Sequence, residues 1–420
     1  MRRIATVALV TAAVGLLAPT VRSNTNTLTL VRVRVGSQEQ ARALMARFDE
    51  THNHTDEVVE LLLWPGDRAA LDATGLPYTV VVEDLVTYDL DRRLAAAPRL
   101  VAMPGPDYDD YRRLVDYNAE MTQLAEGNPR LVKLIELKRH TLEGRPVFAL
   151  EIAANVGRRD GRPTFYIDAI HHAREWPAAE YTMIFAHHLV ESYGKDPRIT
   201  SLLRSARVIL VPIVNPDGFN YSRESVLSLT QPLRDGTSLT GAANGFEGYW
   251  RKNRRSLTGA TLPVVQVNPD AYGVDPNRNY SYQWGDRNGG SSGNQLDQTY
   301  RGTEPFSEPE TRNVRDIILG RNVTGVITNH TYQGSVLRAG GGKAPDDPIL
   351  LRIGDRIAEA LDHDNRPTVG YPTTGTTDDW AYAAIGALGF TIEHGRLGFH
   401  PPYSQSVQAD FEKVMEGFTM

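Results

Sequence analysis

The chain has 420 residues, 41% of them hydrophobic and 23% charged, a composition typical of a globular protein large enough for two domains. Its formal net charge of −6 argues against a nucleic-acid-binding protein, which is normally basic. Because the sequence contains no cysteine, it can form no disulfide, and any transition-metal site must use His, Asp or Glu ligands.

Residues 1–23 have the pattern of a secretory signal peptide. Arg2 and Arg3 precede the apolar stretch 4–17, which is too short to span a bilayer comfortably, and small residues follow it. No later segment approaches the roughly 18 consecutive apolar residues of a membrane helix. We therefore expect a secreted, extracellular protein with no membrane partner.

Residues 24–90 are predicted to form a small α+β domain, because strand-like and helix-like segments alternate there. In chain order the segments are TLTLVRVRV, EQARALMARFDE, EVVELLLW, GDRAALDATG and YTVVVEDL. His52 and His54 lie in the polar stretch THNHT of this domain and are assigned no role. Residues 91–106 combine arginines, small residues and prolines, which predicts an exposed connector that a protease could cut. A permanently attached accessory domain is the alternative.

Residues 107–420 have the pattern of a larger α/β domain. Short apolar runs, typical of buried strands, stand at 164–170, 207–214, 323–328 and 387–392. Helix-like stretches lie between several of them, and one has Pro177 near its start and Gly194 near its end. The alternation predicts an α/β fold with a mixed, mostly buried β-sheet flanked by helices.

Polar side chains follow three of these apolar runs directly, at His171-His172, at His330 and at Glu393. In open α/β sheets, functional sites gather beyond the carboxyl ends of the strands. His172 and Glu175 have the spacing of two ligands on one tight turn. His171 should point to the opposite face and either pack in the core or support the ligands from behind. His172, Glu175 and His330 together predict a zinc site with two imidazoles, one carboxylate and an open position for water.

A set of motifs in fixed order resembles the secreted zinc metallocarboxypeptidases of the carboxypeptidase A/B type. The motifs are HAREW, WRKNR, GVDPNRNY, FSEPET, NHTY, DDWAY and GRLGF. The resemblance covers about residues 108–402, and the 24–90 domain is similar to the activation propeptide of that family in layout and position. It implies a zymogen that needs an activating protease and then releases the C-terminal residue of peptides or proteins, with one Zn²⁺ per catalytic domain.

The resemblance also implies roles for individual residues. Glu393 would be the general base that takes a proton from the attacking water and later gives it to the leaving amine. Arg251 would stabilise the developing oxyanion together with the metal. Asp275 would hydrogen-bond the free nitrogen of His172 and fix its tautomer.

The remaining implied roles concern the substrate. Asn277 and Arg278 would hold the terminal carboxylate, which suits the forked donor of arginine. Tyr371 would cap the bound C-terminal residue, and Arg174 and Tyr332 would line the subsites further up the peptide.

Asp378, the first acid of DDWAY, would lie at the base of the pocket for the C-terminal side chain. A buried carboxylate favours a cationic partner, which predicts a preference for Lys or Arg. Arg366 lies a short way upstream and could neutralise Asp378, so a broad or apolar preference stays open. Cell-wall peptides as substrates and a catalytically silent peptide-binding protein are further alternatives. The serine-hydrolase pattern G-x-S-x-G occurs in GGSSG (289–293), but a glycine-asparagine loop surrounds it instead of the strand and helix that the motif requires.

Overall fold

The structure is a computed structural model that describes residues 27–55, 57–96, 105–106, 110–158, 160–230, 246–257, 273–286, 290–370 and 373–419. The predicted signal segment 1–23, residues 97–104 of the connector and Tyr371 lie outside the described residues. Among the residues that are described, no helix is both long enough and apolar enough to cross a membrane.

The N-terminal domain is the α+β unit that the sequence predicts. Its elements are β1 (Thr29–Arg34), α1 (Gln38–Arg47), β2 (Asp49–Glu50), β3 (Val58–Leu63), α2 (Asp67–Asp72), β4 (Tyr78–Val82) and α3 (Leu85–Ala95). The four strands described here pair antiparallel in the order β2-β3-β1-β4. Inward-facing Val31, Val33 and Leu61 pack against Leu44 of α1, in a cluster that also includes Leu337 and Val369 of the larger domain. Helix α3 extends to Ala95, so the first residues of the predicted connector are helical.

The larger domain contains the remaining helices and strands. Its strands are β5 (Val132–Glu136), β6 (Phe148–Ile152), β7 (Thr164–Ala169), β8 (Arg207–Val211), β9 (Val323–Thr331), β10 (Ser335–Arg338), β11 (Asp364–Arg366) and β12 (Leu388–His394). Its helices are α4 (Leu114–Gly127), α5 (Trp176–Ser192), α6 (Pro197–Ser205), α7 (Pro216–Thr230), α8 (Pro309–Gly320), α9 (Asp347–Leu361), α10 (Thr377–Ile385) and α11 (Val407–Thr419). Within the described ranges these strands form an eight-stranded sheet in the order β11-β10-β12-β9-β7-β8-β6-β5.

The centre of this sheet is parallel and its flanks are mixed, as the fold prediction required. Strands β8, β7, β9 and β12 run parallel, whereas β6 pairs antiparallel with β8 and β10 with β12. Apolar side chains on one face of the central strands pack against helices that include α5 and α11, and those on the other face pack against α8 and α10. This explains why these strands are continuous apolar runs in the sequence.

The register of the central strands brings their carboxyl ends to one edge. Ala169 of β7 pairs with Asn329 of β9, and His330 of β9 pairs with Glu393 of β12. Residues that follow β7 are therefore close to the last residues of β9 and β12, and this edge carries the candidate site.

Candidate active site

Three fully buried side chains converge at this edge of the sheet. Nδ1 of His172 lies 2.7 Å from Oε1 of Glu175, and Nδ1 of His330 lies 2.8 Å from Oε2 of the same carboxylate. The two Nδ1 atoms are 3.2 Å apart. One ligand atom from each residue falls within 4.8 Å of the others, which is the arrangement of a metal-binding group.

A tight turn between β7 and α5 places two of these ligands. Ile170, directly after β7, has φ of 55°, and such a left-handed conformation is a true outlier for a β-branched residue. The chain then turns so that Glu175 N–H donates to the His172 carbonyl, and Glu175 immediately precedes helix α5. Strain of this kind is typical of functional sites, where the surrounding structure imposes it.

The chemistry of the donor set fits zinc. Burial lowers the pKa of His172 and lowers that of His330 to about 4, so both imidazoles are neutral at pH 7 and offer a lone pair. Two imidazoles and one carboxylate form a ligand set of catalytic zinc sites, in which a fourth position stays open. Nε2 of His172 lies 3.2 Å from Oδ1 of Asp275, and such a carboxylate fixes the tautomer of a ligating histidine.

Asp275 also holds the buried side chain of Arg251. Nε and one terminal nitrogen of Arg251 donate to Oδ2 of Asp275 at 3.1 and 2.9 Å. Burial alone would raise the pKa of Asp275, but Arg251 and His172 hold it well below its usual range. One ionised carboxylate therefore orients both an imidazole of the metal cluster and a guanidinium beside it.

Glu393 carries its carboxylate next to the metal cluster, and His52 of the N-terminal domain contacts it. Nδ1 of His52 lies 3.1 Å from Oε1 of Glu393, and Nε2 of His52 lies 3.0 Å from Oε1 of Glu50. Burial opposes both charges, but the pairing prevails: the pKa of His52 rises to about 10 and that of Glu393 falls to about 2. The sequence pattern around His52 indicates no role for it, but here it makes an ion pair inside the site.

Two other predicted site residues also contact the N-terminal domain. Arg174 donates from both terminal nitrogens to the carboxylate of Asp49, at 2.6 and 2.9 Å. The hydroxyl of Tyr332 donates to Oε1 of Glu60 at 2.9 Å. All four side chains are buried, so the N-terminal domain covers this side of the site.

A cavity of about 330 Å³ opens beside the cluster. Asn277, Arg278, Asp378 and Glu393 all line it. Arg278 donates from Nε to the carbonyl of Gly290 at 3.0 Å and from Nη1 to the carbonyl of Asn277 at 2.9 Å, so its guanidinium is held in place. The structure thus brings four of the predicted catalytic and substrate-binding residues around one space.

Asp378 lies in the first turn of α10 and is buried. Burial, with the charge of Asp379, raises the pKa of Asp378 to about 6. Arg366, the residue considered as an internal partner, pairs instead with Asp364 at 2.7 Å. Across the described residues Asp378 makes no ion pair. Gly370, just before the undescribed Tyr371, also lines the cavity.

His171 lies outside the group of ligand atoms. Its Nε2 contacts the hydroxyl of Tyr280 at 2.8 Å and that of Thr377 at 3.0 Å. These contacts to Tyr280 and Thr377 belong to the wall behind the cavity, and the spacing of residues in the sequence gives no sign of them.

A buried His₂Glu group at the carboxyl edge of an α/β sheet, with a carboxylate and an arginine beside it, defines the site of a metal-dependent hydrolase. Residues 117–415 match the family model described as zinc carboxypeptidase. The chain belongs to the zinc carboxypeptidase family, and it is a hydrolase of the metallopeptidase class.

Relatives of known name agree with this assignment. Carboxypeptidase A1 of Rattus norvegicus is 29% identical over 358 residues, covering 81% of this chain and 77% of that protein. Carboxypeptidase A4 of Mus musculus is 29% identical over 357 residues, with the same coverage. The crystal structure of carboxypeptidase A from Helicoverpa armigera has a TM-score of 0.74 at 22% identity and covers 94% of this chain and 97% of that chain. That likeness shows a shared fold.

Proposed function

We propose that this protein is a secreted, zinc-dependent exopeptidase that removes the C-terminal residue of peptides and proteins and prefers Lys or Arg there. The convergence of His172, Glu175 and His330 beside the Glu393 carboxylate carries the proposal. Zinc held by the three ligands would supply a Lewis acid that polarises a carbonyl group and makes water more acidic.

Glu393 and Arg251 supply proton transfer and charge stabilisation. Oε2 of Glu393 is buried and has no hydrogen-bond partner among the described residues, while Oε1 faces His52. Without His52, this carboxylate can take a proton from water and pass it to the departing amine. Arg251, held rigidly by Asp275, can donate to the oxygen on which negative charge develops.

Asn277 and Arg278 are proposed to bind the terminal carboxylate, which selects chain ends over internal peptide bonds. Both line the cavity next to Glu393, and the two carbonyls that hold Arg278 fix the plane of its guanidinium. A fixed, planar donor group suits a carboxylate. Bound there, a C-terminal residue would have its side chain inside the cavity.

Asp378 is proposed to select a basic side chain in that cavity. Its carboxylate is buried and makes no ion pair in the described part of the chain, and Arg366 is occupied by Asp364. A buried carboxylate without a counter-charge is costly, so a Lys or Arg side chain of the substrate would supply the missing cation. An apolar side chain would leave the charge uncompensated and bind less well.

Secretion and latency complete the proposal. Secretion rests on the signal pattern of residues 1–23. Latency is supported by two ion pairs between the domains: His52 pairs with Glu393, and Asp49 pairs with Arg174. A protease that cuts in the connector 91–106, beyond helix α3, would free the N-terminal domain and open the site to peptides.

The test is release of the last residue from blocked dipeptides that end in Arg, Lys, Phe, Leu or Glu. The zinc-loaded chain is cut in the connector by limited proteolysis and assayed with and without a chelator. We expect chelator-sensitive release that is fastest for Arg and Lys. Faster release of Phe or Leu would retain the chemistry and reject Asp378 as the selecting residue. No release from any dipeptide, with zinc bound, would reject the exopeptidase.

A further inference from the structure

The amide of Asn277 is held in one orientation by Thr377, the first residue of helix α10. The Thr377 N–H donates to Oδ1 of Asn277 at 3.0 Å, and the Thr377 hydroxyl donates to the same atom at 3.1 Å. Since a backbone N–H is always a donor, the atom it meets must be the carbonyl oxygen of the amide. The NH₂ group of Asn277 is therefore on the other side, toward the metal cluster and the cavity.

The NH₂ group is available to a ligand. Its nitrogen lies 3.3 Å from Nε2 of His330. Nδ1 of His330 is the atom that faces the other ligands, and zinc bound there would leave the ring hydrogen on Nε2, which then could not accept from the amide. The donors of Asn277 consequently point at the space in which the C-terminal carboxylate of a substrate would lie.

His171 holds Thr377 from behind. The single hydrogen of the Thr377 hydroxyl is used toward Asn277, so its short contact with Nε2 of His171, at 3.0 Å, needs the hydrogen on Nε2. The same Nε2–H also faces the hydroxyl of Tyr280 at 2.8 Å. Nδ1 of His171 then accepts from the Thr328 hydroxyl at 3.4 Å. His171 and Thr377 are completely buried, so water cannot replace either partner.

We propose that His171 and Thr377 are positioning residues that fix the amide of Asn277 so that it donates to the C-terminal carboxylate of the substrate. This inference rests on the proposed carboxypeptidase function. In the flipped orientation, the carbonyl oxygen of Asn277 would face the carboxylate and repel it. The chain His171–Thr377–Asn277 excludes that orientation, because it would bring the NH₂ group against the Thr377 N–H.

The experiment compares the binding of arginine and argininamide, which differ in the carboxylate. Calorimetry is done on the zinc-loaded chain, both intact and cut in the connector, with zinc content and melting temperature as controls. The variants are Thr377→Val, which removes the hydroxyl hydrogen bond to Asn277 and keeps the backbone one, and His171→Leu, which removes the contact that holds this hydroxyl. Thr377→Ser and His171→Gln are the matched controls, because they keep a hydroxyl and an N–H donor.

We expect Thr377→Val and His171→Leu to weaken the binding of arginine about fivefold, since the Asn277 amide loses one of the two donors that orient it, and to leave the binding of argininamide unchanged. The Ser and Gln variants should bind both ligands like the unaltered chain. If the Val and Leu variants keep the preference for arginine, or weaken both ligands equally, the positioning role is wrong while the proposed function stands. If the unaltered chain itself does not prefer arginine to argininamide, the carboxylate site of the proposed function is wrong, and this inference fails with it.

Discussion

Asp378→Asn is the substitution that most directly tests what the cavity selects. Asparagine keeps the size of the side chain and removes its charge. Asp378 lines the same cavity as Arg278 and Glu393, is buried, and has no cationic partner among the described residues. The charge that the substitution removes is therefore available only to a ligand.

The substitution should lower kcat/KM strongly for substrates with a basic C-terminal residue and little for those with an apolar one. A cationic side chain that enters the pocket of the Asp378→Asn variant leaves water without gaining a counter-charge, and breaking a buried ion pair in this way costs about 3 kcal/mol or more. That corresponds to a decrease of about a hundredfold in kcat/KM for a dipeptide ending in Arg. The value for a dipeptide ending in Leu should stay the same or improve.

The pKa of Asp378 gives the same selection a pH dependence. With its pKa raised to about 6 by burial and Asp379, the carboxyl is protonated below that pH. The kcat/KM for Arg, divided by that for Leu, should fall about tenfold for each pH unit below about 6. The sign for stability is opposite: an acid with a raised pKa in the folded chain destabilises it as pH rises from about 4 to 6, by roughly 3 kcal/mol in all. Asp378→Asn should therefore raise the free energy of unfolding at pH 7 and leave it unchanged near pH 3.

The assay measures kcat/KM for dipeptides ending in Arg and Leu between pH 5 and 8, for the unaltered enzyme and the Asn variant. Asp379→Asn is the matched control, because the carboxylate of Asp379 already accepts from the N–H of Gly340 at 2.6 Å. It should retain the preference for Arg at pH 7 but move its pH dependence to lower pH, because the charge of Asp379 helps to raise the pKa of Asp378. An Arg/Leu ratio that survives Asp378→Asn, or that does not change between pH 5 and 7, would refute the reasoning.

Three further predictions concern the catalytic residues and latency. Glu393→Gln should keep one zinc per chain and bind peptide, but lose turnover by about a thousandfold, and loss of zinc measured by atomic absorption would show that the ligands are assigned wrongly. Asp275→Asn should weaken zinc about tenfold or more in a competition titration with a chelator, because the tautomer of His172 is no longer fixed; unchanged affinity would reject that role. In the uncut chain, His52→Ala should raise peptidase activity about tenfold or more, since the cation that holds Glu393 is removed. His54→Ala, which also removes a buried histidine beside Glu50, is its control and should not activate the uncut chain.

The metal cluster could be predicted from sequence because its geometry is set by short-range rules. His172 and Glu175 are close along the chain, on one turn after a strand. His330 and Glu393 are far apart in sequence but stand at the ends of parallel strands, and the ends of parallel strands meet at one edge. The apolar runs indicate the strands, and the His and Glu residues that follow them indicate the metal ligands. The fold class followed from the same alternation of elements.

His52 could not be predicted because its surroundings depend on how two domains dock. The stretch THNHT has the composition of an exposed loop, and nothing in its spacing indicates a partner. In the structure His52 has φ of 66° in the segment between β2 and β3, and this conformation directs it to a carboxylate in the other domain. The hydrogen-bond chain from His171 through Thr377 to Asn277 could not be predicted from the sequence for a related reason. Each hydrogen bond joins residues from elements that only the completed sheet brings together.

The N-terminal domain places an opposite charge against each of two charged residues of the site. The carboxylate of Glu393 contacts the cation His52, and the cation Arg174 contacts the anion Asp49. Each pair is buried, so neither partner can be withdrawn without leaving the other charge uncompensated. The proposed cut in the connector would break none of these contacts. It would remove only the tether that keeps the domain at high effective concentration, so the proposed activation would depend on dissociation after the cut. The charged residues proposed to act in the site are therefore also those that hold the N-terminal domain over it.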